Sequence, residues 1–196
     1  MNFTSVQKEK LEQEIENKEK ELMQIKKELN ELRKQHPSFT VKDYTFKTTG
    51  GEDVSLNELF GDRKELIVIH NMGKSCSYCT LWSDGFNGFT KHFESRASFV
   101  LTSPDDYKTL ADFSGNRGWA FKSVSTKGTT FKEDLGFRDE KGYLHPGVSI
   151  LTKEEDGSIK HFTKAAFGPG DDYCSIWSLI DLLPDGSEGW SPKNKY

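Results

Sequence analysis

The chain has 196 residues with 27 basic and 31 acidic side chains, a net charge of −4 and a pI of about 5.8. That length suits one ordinary domain with an extension and disfavours two large ones, and the acidic balance disfavours a phosphate-backbone binder, so no nucleic-acid partner is expected. No apolar run reaches the roughly 18 residues of a membrane span, and no basic segment leads into a short apolar one at the N-terminus, so neither a membrane association nor a secretory leader is expected.

The mean hydropathy of −0.71 averages two unlike segments. Residues 1–36 carry 8 basic and 8 acidic side chains, whereas all 4 Trp and most of the 14 Phe follow. The first segment predicts one long amphipathic helix over about 5–35. Leu11, Ile15, Leu22, Ile25, Leu29 and Leu32 fall on a heptad seam, with Lys18 at the one missing position. Pro37 ends it, because its ring disfavours helical geometry at His36. A stripe this narrow on a helix this charged favours a coiled-coil arm in a homodimer over a helix docked on its own domain.

Beyond Pro37 the pattern alternates. Val41 to Lys47 predicts a strand running to Gly50-Gly51, and Ser55 to Phe60 a short helix. Leu66 to His70 is a near-continuous β-branched run, as expected of a strand buried on both faces. A helix is expected from Ser77 to Glu94, then a strand at 98–102, a helix at 107–114 and a strand at 121–125. Residues 126–145 are rich in Gly and charge and are read as irregular. Strands at 148–152 and 158–163 flank the turn Glu155-Asp156-Gly157, and a last helix is read from Asp171 to Leu183, stopped by Pro184. This order predicts an α/β fold, a thioredoxin-like mixed sheet flanked by helices. The expected organisation is an N-terminal helix over 1–36, a thioredoxin-like domain over 37–190 and a C-terminal tail over 191–196.

The chemistry concentrates in Cys76-Ser77-Tyr78-Cys79, just after the central strand and at the start of the next helix. A thiol at a helix N-terminus gains from the positive end of the helix dipole, which favours thiolate. Cys79, one turn on along the same face, is placed to close a disulfide with it. Cys76 is therefore the candidate nucleophile and Cys79 the resolving thiol, with Lys74 adding positive potential if it points inward. Haem attachment would need His at position 80, which is Thr80. Structural zinc would need two further ligands, for which the chain offers only Cys174 and scattered His, so no metal is expected. A pair of inert buried thiols remains an alternative. Three cysteines in a chain of this size point to a reducing cytoplasm rather than a disulfide scaffold. Cys174, on an apolar stretch with Ile176, Trp177 and Ile180, reads as a core thiol. Asp84, Arg117, Trp119 and His70 are weaker candidates for the surroundings of the site.

Met72-Gly73, Cys76, Cys79-Thr80, Trp82 and Asp84-Gly85-Phe86-Asn87-Gly88 together resemble the signature of a mainly bacterial thioredoxin-like family of unknown function. Tyr44-Thr45-Phe46, Leu59-Phe60-Gly61, Arg117-Gly118-Trp119, Pro146-Gly147-Val148-Ser149 and Leu182-Leu183-Pro184-Asp185-Gly186 resemble further blocks, so the likeness spans nearly the whole chain. It implies a thioredoxin-like fold but carries no established reaction. In such folds a cis-proline before the strand after the Cys pair faces that pair, and His145-Pro146-Gly147 occupies that place; a plain turn proline is the alternative. The expected function is a thiol–disulfide oxidoreductase with Cys76 and Cys79 catalytic, and Pro146, Tyr78 and Trp82 contacting a protein or small-molecule disulfide or thiol. Peroxide reduction is a variant, and no organic cofactor is expected. The rival reading is a binding or assembly module that uses the N-terminal helix, with the Cys pair vestigial.

Overall fold

The computed structural model describes residues 4–196, so the first three residues of the N-terminal segment lie outside the described residues. The chain divides into two compact units, Met1–Pro37 and Ser38–Tyr196. The first is helix α1, Ser5–Gln35. Thr4 caps it: the Gln7 N–H donates to Thr4 Oγ1 at 3.3 Å and the Thr4 N–H donates to Gln7 Oε1 at 2.9 Å. This reciprocal pair satisfies N–H groups that the first turn leaves free. At the other end His36 takes an extended conformation, as a residue before proline should. Lys18, in the seam, binds Glu21 of its own helix at 2.7 Å.

The second unit is built on one eight-stranded sheet. Its strands in chain order are β1 (Phe39–Val41), β2 (Thr45–Thr48), β3 (Asp53–Ser55), β4 (Glu65–His70), β5 (Ser98–Ser103), β6 (Lys122–Ser125), β7 (Gly147–Lys153) and β8 (Ile159–Ala166), and across the sheet they run β1-β8-β7-β4-β5-β6-β2-β3. The helices are α2 (Leu56–Leu59), α3 (Ser77–Asn87), α4 (Thr90–Arg96), α5 (Tyr107–Arg117), α6 (Phe131–Asp134) and α7 (Ile176–Ile180). Strand β4 is central, parallel to β5 and antiparallel to β7. Its residues alternate between two cores. Leu66 and Val68 pack with Leu56, Phe60, Phe131 and Leu135, while Ile69 packs with Trp82, Phe86, Leu101 and Trp177. Burial on both faces is why β4 reads as an unbroken apolar run. The result is the expected mixed α/β, thioredoxin-like sheet with helices on both faces.

Four expected elements come out differently. The strand read over 41–47 is two strands on opposite sides of the sheet: β1, at one edge, pairs with β8, and β2 pairs with β6 and with β3, a short edge strand the sequence did not signal. The long helix after the Cys pair breaks into α3 and α4, because Asn87 turns its side chain to the Gly118 carbonyl and the Ala120 N–H. The break lets Phe93 stack on Phe99 with ring centroids 4.8 Å apart. The irregular segment 126–145 contains α6, whose Phe131 is wholly buried. The last helix is only α7; Asp171 instead caps a loop, accepting from the Gly168 and Tyr173 N–H groups. The residues read as a C-terminal tail are pinned, with the Asn194 carbonyl accepting from Arg117 and the Asn194 amide donating to the Lys74 carbonyl.

Candidate functional site

The loop between β4 and α3 carries the Cys pair, and its shape follows from Gly73. That residue sits at φ +105°, where a side chain would be strained, and its N–H donates to Asn71 Oδ1 at 2.6 Å. Asp105, two residues beyond β5, accepts from the Lys74 N–H at 2.7 Å. Two side-chain caps thus fold the chain back so that α3 starts at the C-terminal end of β4.

Cys76 is the N-cap of α3. Its Sγ accepts from the Cys79 N–H at 3.1 Å. Cys76 is half-buried, whereas Cys79 is 3% exposed, and both are free thiols. The hydrogen bond from the Cys79 thiol, joined by the backbone N–H groups of Cys79 and Tyr78, lowers the Cys76 thiol from its ordinary value to about 7, against the opposing effect of burial. The same thiol–thiol bond, with burial and the Cys76 charge, pushes Cys79 up. Cys79 Sγ accepts in turn from the Met72 N–H at 3.4 Å. Two thiols one turn apart are thereby separated in acidity, the outer one ready as thiolate and the inner one held as thiol. Lys74 is exposed, and its part in the local structure is through its backbone.

The other expected residues fall in different places. Tyr78 is half-buried, with its ring centroid 6.1 Å from that of Trp177 and 6.3 Å from that of Trp82. Trp82 is no exposed platform: it is 2% exposed, packs on Phe167 at 5.3 Å, and donates its indole N–H to Asp171 at 3.2 Å. Its place three residues after Cys79 turns it into the core beneath α3. The peptide before Pro146 is trans, since the described residues contain no cis peptide bond. The Pro146 carbonyl accepts from the Phe167 N–H at 3.0 Å and the His145 N–H donates to the Phe137 carbonyl at 2.9 Å. Those bonds tie the segment into its neighbours with a trans geometry. Gly147 follows because a Cβ there would strike the Ala165 carbonyl and the Phe137 ring.

Asp84 is bound by Arg117 through two guanidinium nitrogens and by the Trp119 indole N–H at 2.9 Å. Arg117 and Trp119, with Asp84, fasten α3 to the end of α5. Cys174 is buried in the same core as Trp82, and burial raises its thiol.

A buried polar group gathers at the end of β4, and of its members only His70 was a candidate in the sequence. His70 is fully buried, stacked on Phe137 at 3.7 Å. Its Nε2 is 3.0 Å from Ser149 Oγ, which is also 3.0 Å from His161 Nε2. Burial first, then the positive charges of Lys132, His161 and Lys164, hold His70 neutral. Lys132 is 4% exposed, and its ammonium donates to the Thr102 carbonyl at 3.2 Å. Among the described residues, no group of three or more His, Cys, Asp and Glu is arranged to hold a metal ion, and no helix is long and apolar enough to cross a membrane.

The architecture is similar to that of solved peroxiredoxins. Peroxidoxin BcpB from Mycobacterium tuberculosis matches at 23% identity and a TM-score of 0.54, over 66% of this chain and 84% of that one. A PrxQ mutant from Xylella fastidiosa matches at 14% and 0.53, over 67% and 85%. The mitochondrial 2-Cys peroxiredoxin from Plasmodium falciparum matches at 16% and 0.51, over 78% and 96%. At these identities the likeness is one of fold. None of the curated proteins matches. The model of one family matches residues 3–195, and the chain belongs to it: the family described as bacterial protein of unknown function (DUF899).

Proposed function

We propose that the protein is a thiol–disulfide oxidoreductase of a reducing cytoplasm, acting on a protein or small-molecule disulfide. The observation that carries this is the division of acidity between Cys76, lowered to about 7 at the cap of α3, and the buried Cys79 one turn away. The Cys76 thiolate attacks one sulfur of the substrate disulfide; a mixed disulfide forms and one substrate thiolate leaves. Cys79 then attacks Cys76 Sγ, the Cys76–Cys79 bond forms, and the second substrate thiolate leaves. The substrate gains two electrons and the dithiol loses them. With a peroxide the same thiolate takes one oxygen, an alkoxide or hydroxide leaves, and Cys79 condenses with the sulfenic acid to release water. The peroxiredoxin likeness of the fold is compatible with this variant. Tyr78, half-buried beside Cys76, and Pro146 are the residues proposed to contact the substrate.

Mild oxidation of the folded protein, digestion and mass spectrometry should give one reversible link, between Cys76 and Cys79. A folded protein in which the two stay unlinked under oxidant sinks the oxidoreductase reading.

A second function is proposed for α1, from the observation that its seam residues are 43–64% exposed. Two such seams, packed together, would form a homodimer, since apolar area removed from water contributes roughly 25 cal/mol per Å². Lys18 would weaken the seam and fix its register. Light scattering should find the full chain dimeric at micromolar concentration, and a chain starting at Pro37 folded and monomeric. A monomeric full chain rules out the dimer arm; loss of the folded spectrum on truncation makes α1 part of the core. A dimer that showed no Cys76–Cys79 link would favour the assembly module.

A further inference from the structure

Lys132 is an unusual residue to find inside this fold, because a buried ammonium is costly unless something compensates it. Among the described residues no carboxylate is hydrogen-bonded to it: its Nζ donates to the Thr102 carbonyl at 3.2 Å and lies 3.4 Å from Thr102 Oγ1. That carbonyl also accepts from the Asn71 N–H at 3.0 Å. The next residue, Met72, donates its N–H to Cys79 Sγ at 3.4 Å. One carbonyl and one dipeptide therefore link the lysine nitrogen to the sulfur of Cys79. The charges of the two groups are coupled: a Cys79 thiolate favours the ammonium, and the ammonium favours the thiolate. We propose that Lys132 is the proton-exchange partner of Cys79, a positioning residue that takes the thiol proton as Cys79 attacks the mixed disulfide. The inference rests on the oxidoreductase reading above and names the group that reading lacks.

The need for such a group follows from the site. Cys79 is buried and held as a thiol, yet it must act as a thiolate to resolve the mixed disulfide. Cys76 cannot take its proton at that step, because its sulfur is already in the disulfide. His70 is a poor acceptor, since its complete burial, first of all, opposes its protonation. Lys132 is differently placed. Burial first, and Arg138 in addition, lower its ammonium to about 7, while Cys79 and Glu133 support the charge. It is thus able to stand as a neutral amine near neutral pH and to become an ammonium when a thiolate forms beside it. The proton balance closes in three moves. The Cys79 proton passes to Lys132 Nζ; the thiolate forms the Cys76–Cys79 bond as the substrate thiolate leaves; and Lys132, now without its counter-charge, returns the proton to water. An exit is at hand: a polar cavity of about 200 Å³ is lined by Lys132 together with Lys127, Gly128, Thr129, Glu133 and Arg138.

The test follows the two thiol steps separately. One equivalent of dithionitrobenzoate releases a first coloured thiolate when Cys76 attacks and a second when Cys79 resolves. In the wild-type chain the rate of the second release should climb with pH and level off just above neutrality. Lys132→Met keeps the length of the side chain and removes the proton acceptor. It should slow the second release roughly tenfold or more at pH 7, leave the first release nearly unchanged, and make the second rise steadily through pH 9. A Lys132→Met protein with the wild-type second rate and pH profile overturns the inference. Should Lys132→Met lose its fold by circular dichroism, the wild-type profile decides: a plateau near neutrality supports the lysine, and a continuous climb through pH 9 overturns it. Absence of any second release in the wild-type chain, with the first intact, sinks the oxidoreductase reading itself and the role of Lys132 with it.

Discussion

Replacing Cys76 by Ser is expected to abolish alkylation of the native protein at neutral pH, a loss of roughly twentyfold or more, since Cys79 and Cys174 are buried and held as thiols. The wild-type rate should follow the thiolate fraction of Cys76 and reach half its maximum near pH 7. The direction is set by the sign of the shift. A lowered thiol is reactive above about pH 7 and is silenced as pH falls through that value, whereas an ordinary cysteine, near pH 8.5, is only a few per cent thiolate at pH 7. Cys79→Ser should keep Cys76 reactive and trap mixed disulfides with substrate, because nothing then resolves them. Cys79→Ala removes the thiol hydrogen bond that does most to lower Cys76, so its alkylation midpoint should move to higher pH. Iodoacetamide kinetics from pH 5 to pH 9 check all three. Equal and slow reaction of Cys76 and Cys79 would instead mark the pair as vestigial.

Phe131→Ala should be among the most destabilising single changes in the domain, at about 3–5 kcal/mol. The ring is wholly buried. Its edge contacts with Tyr44 and Phe46 both have centroids 5.0 Å apart, and it lies 5.6 Å from His70. A loss of that size is a large part of the 5–15 kcal/mol that holds a typical domain together. Urea unfolding measures it. Alanine leaves a cavity where α6 meets β2 and β4, and α6 is too short to hold its place without the ring. Because Lys132 is the next residue, loosening Phe131 should also admit water to the lysine. Phe131→Leu, which keeps much of the volume, should cost far less. A loss under about 1 kcal/mol for the alanine variant would mean that α6 is not part of the core.

The comparison of these two positions shows how much was legible before folding. Cys76 and Cys79 stand out because their chemistry, their spacing and the strand-then-helix pattern around them are all local. Phe131 was lost inside a stretch read as irregular, though its spacing of four from Leu135, with Phe137 beyond, hinted at an apolar helical face. Charged neighbours at Lys132, Glu133 and Asp134 masked that hint. Asp84 stood only as a weaker candidate for the surroundings of the site, and the approach of α5 to α3 showed its guanidinium and indole partners. Trp82 and Pro146 were placed near the Cys pair by chain position. Packing turns Trp82 into the core, and the bonds of Phe137 and Phe167 to the flanks of Pro146 accompany its trans peptide.

By itself the sequence determined the long N-terminal helix, the alternating α/β order, the buried central strand and the position of the Cys pair at a helix start. These follow from periodicity, capping and breakers, which act over a few residues. Only the tertiary structure decided that β1 and β2 go to opposite sides of the sheet, and that Lys132, His70, Ser149 and His161 lie buried close to one another. Burial and charge coupling depend on residues far apart in the chain, such as Cys79 and Lys132, which no local pattern connects. A lysine in a polar stretch reads as solvated surface until the fold buries it and couples its charge to that of Cys79.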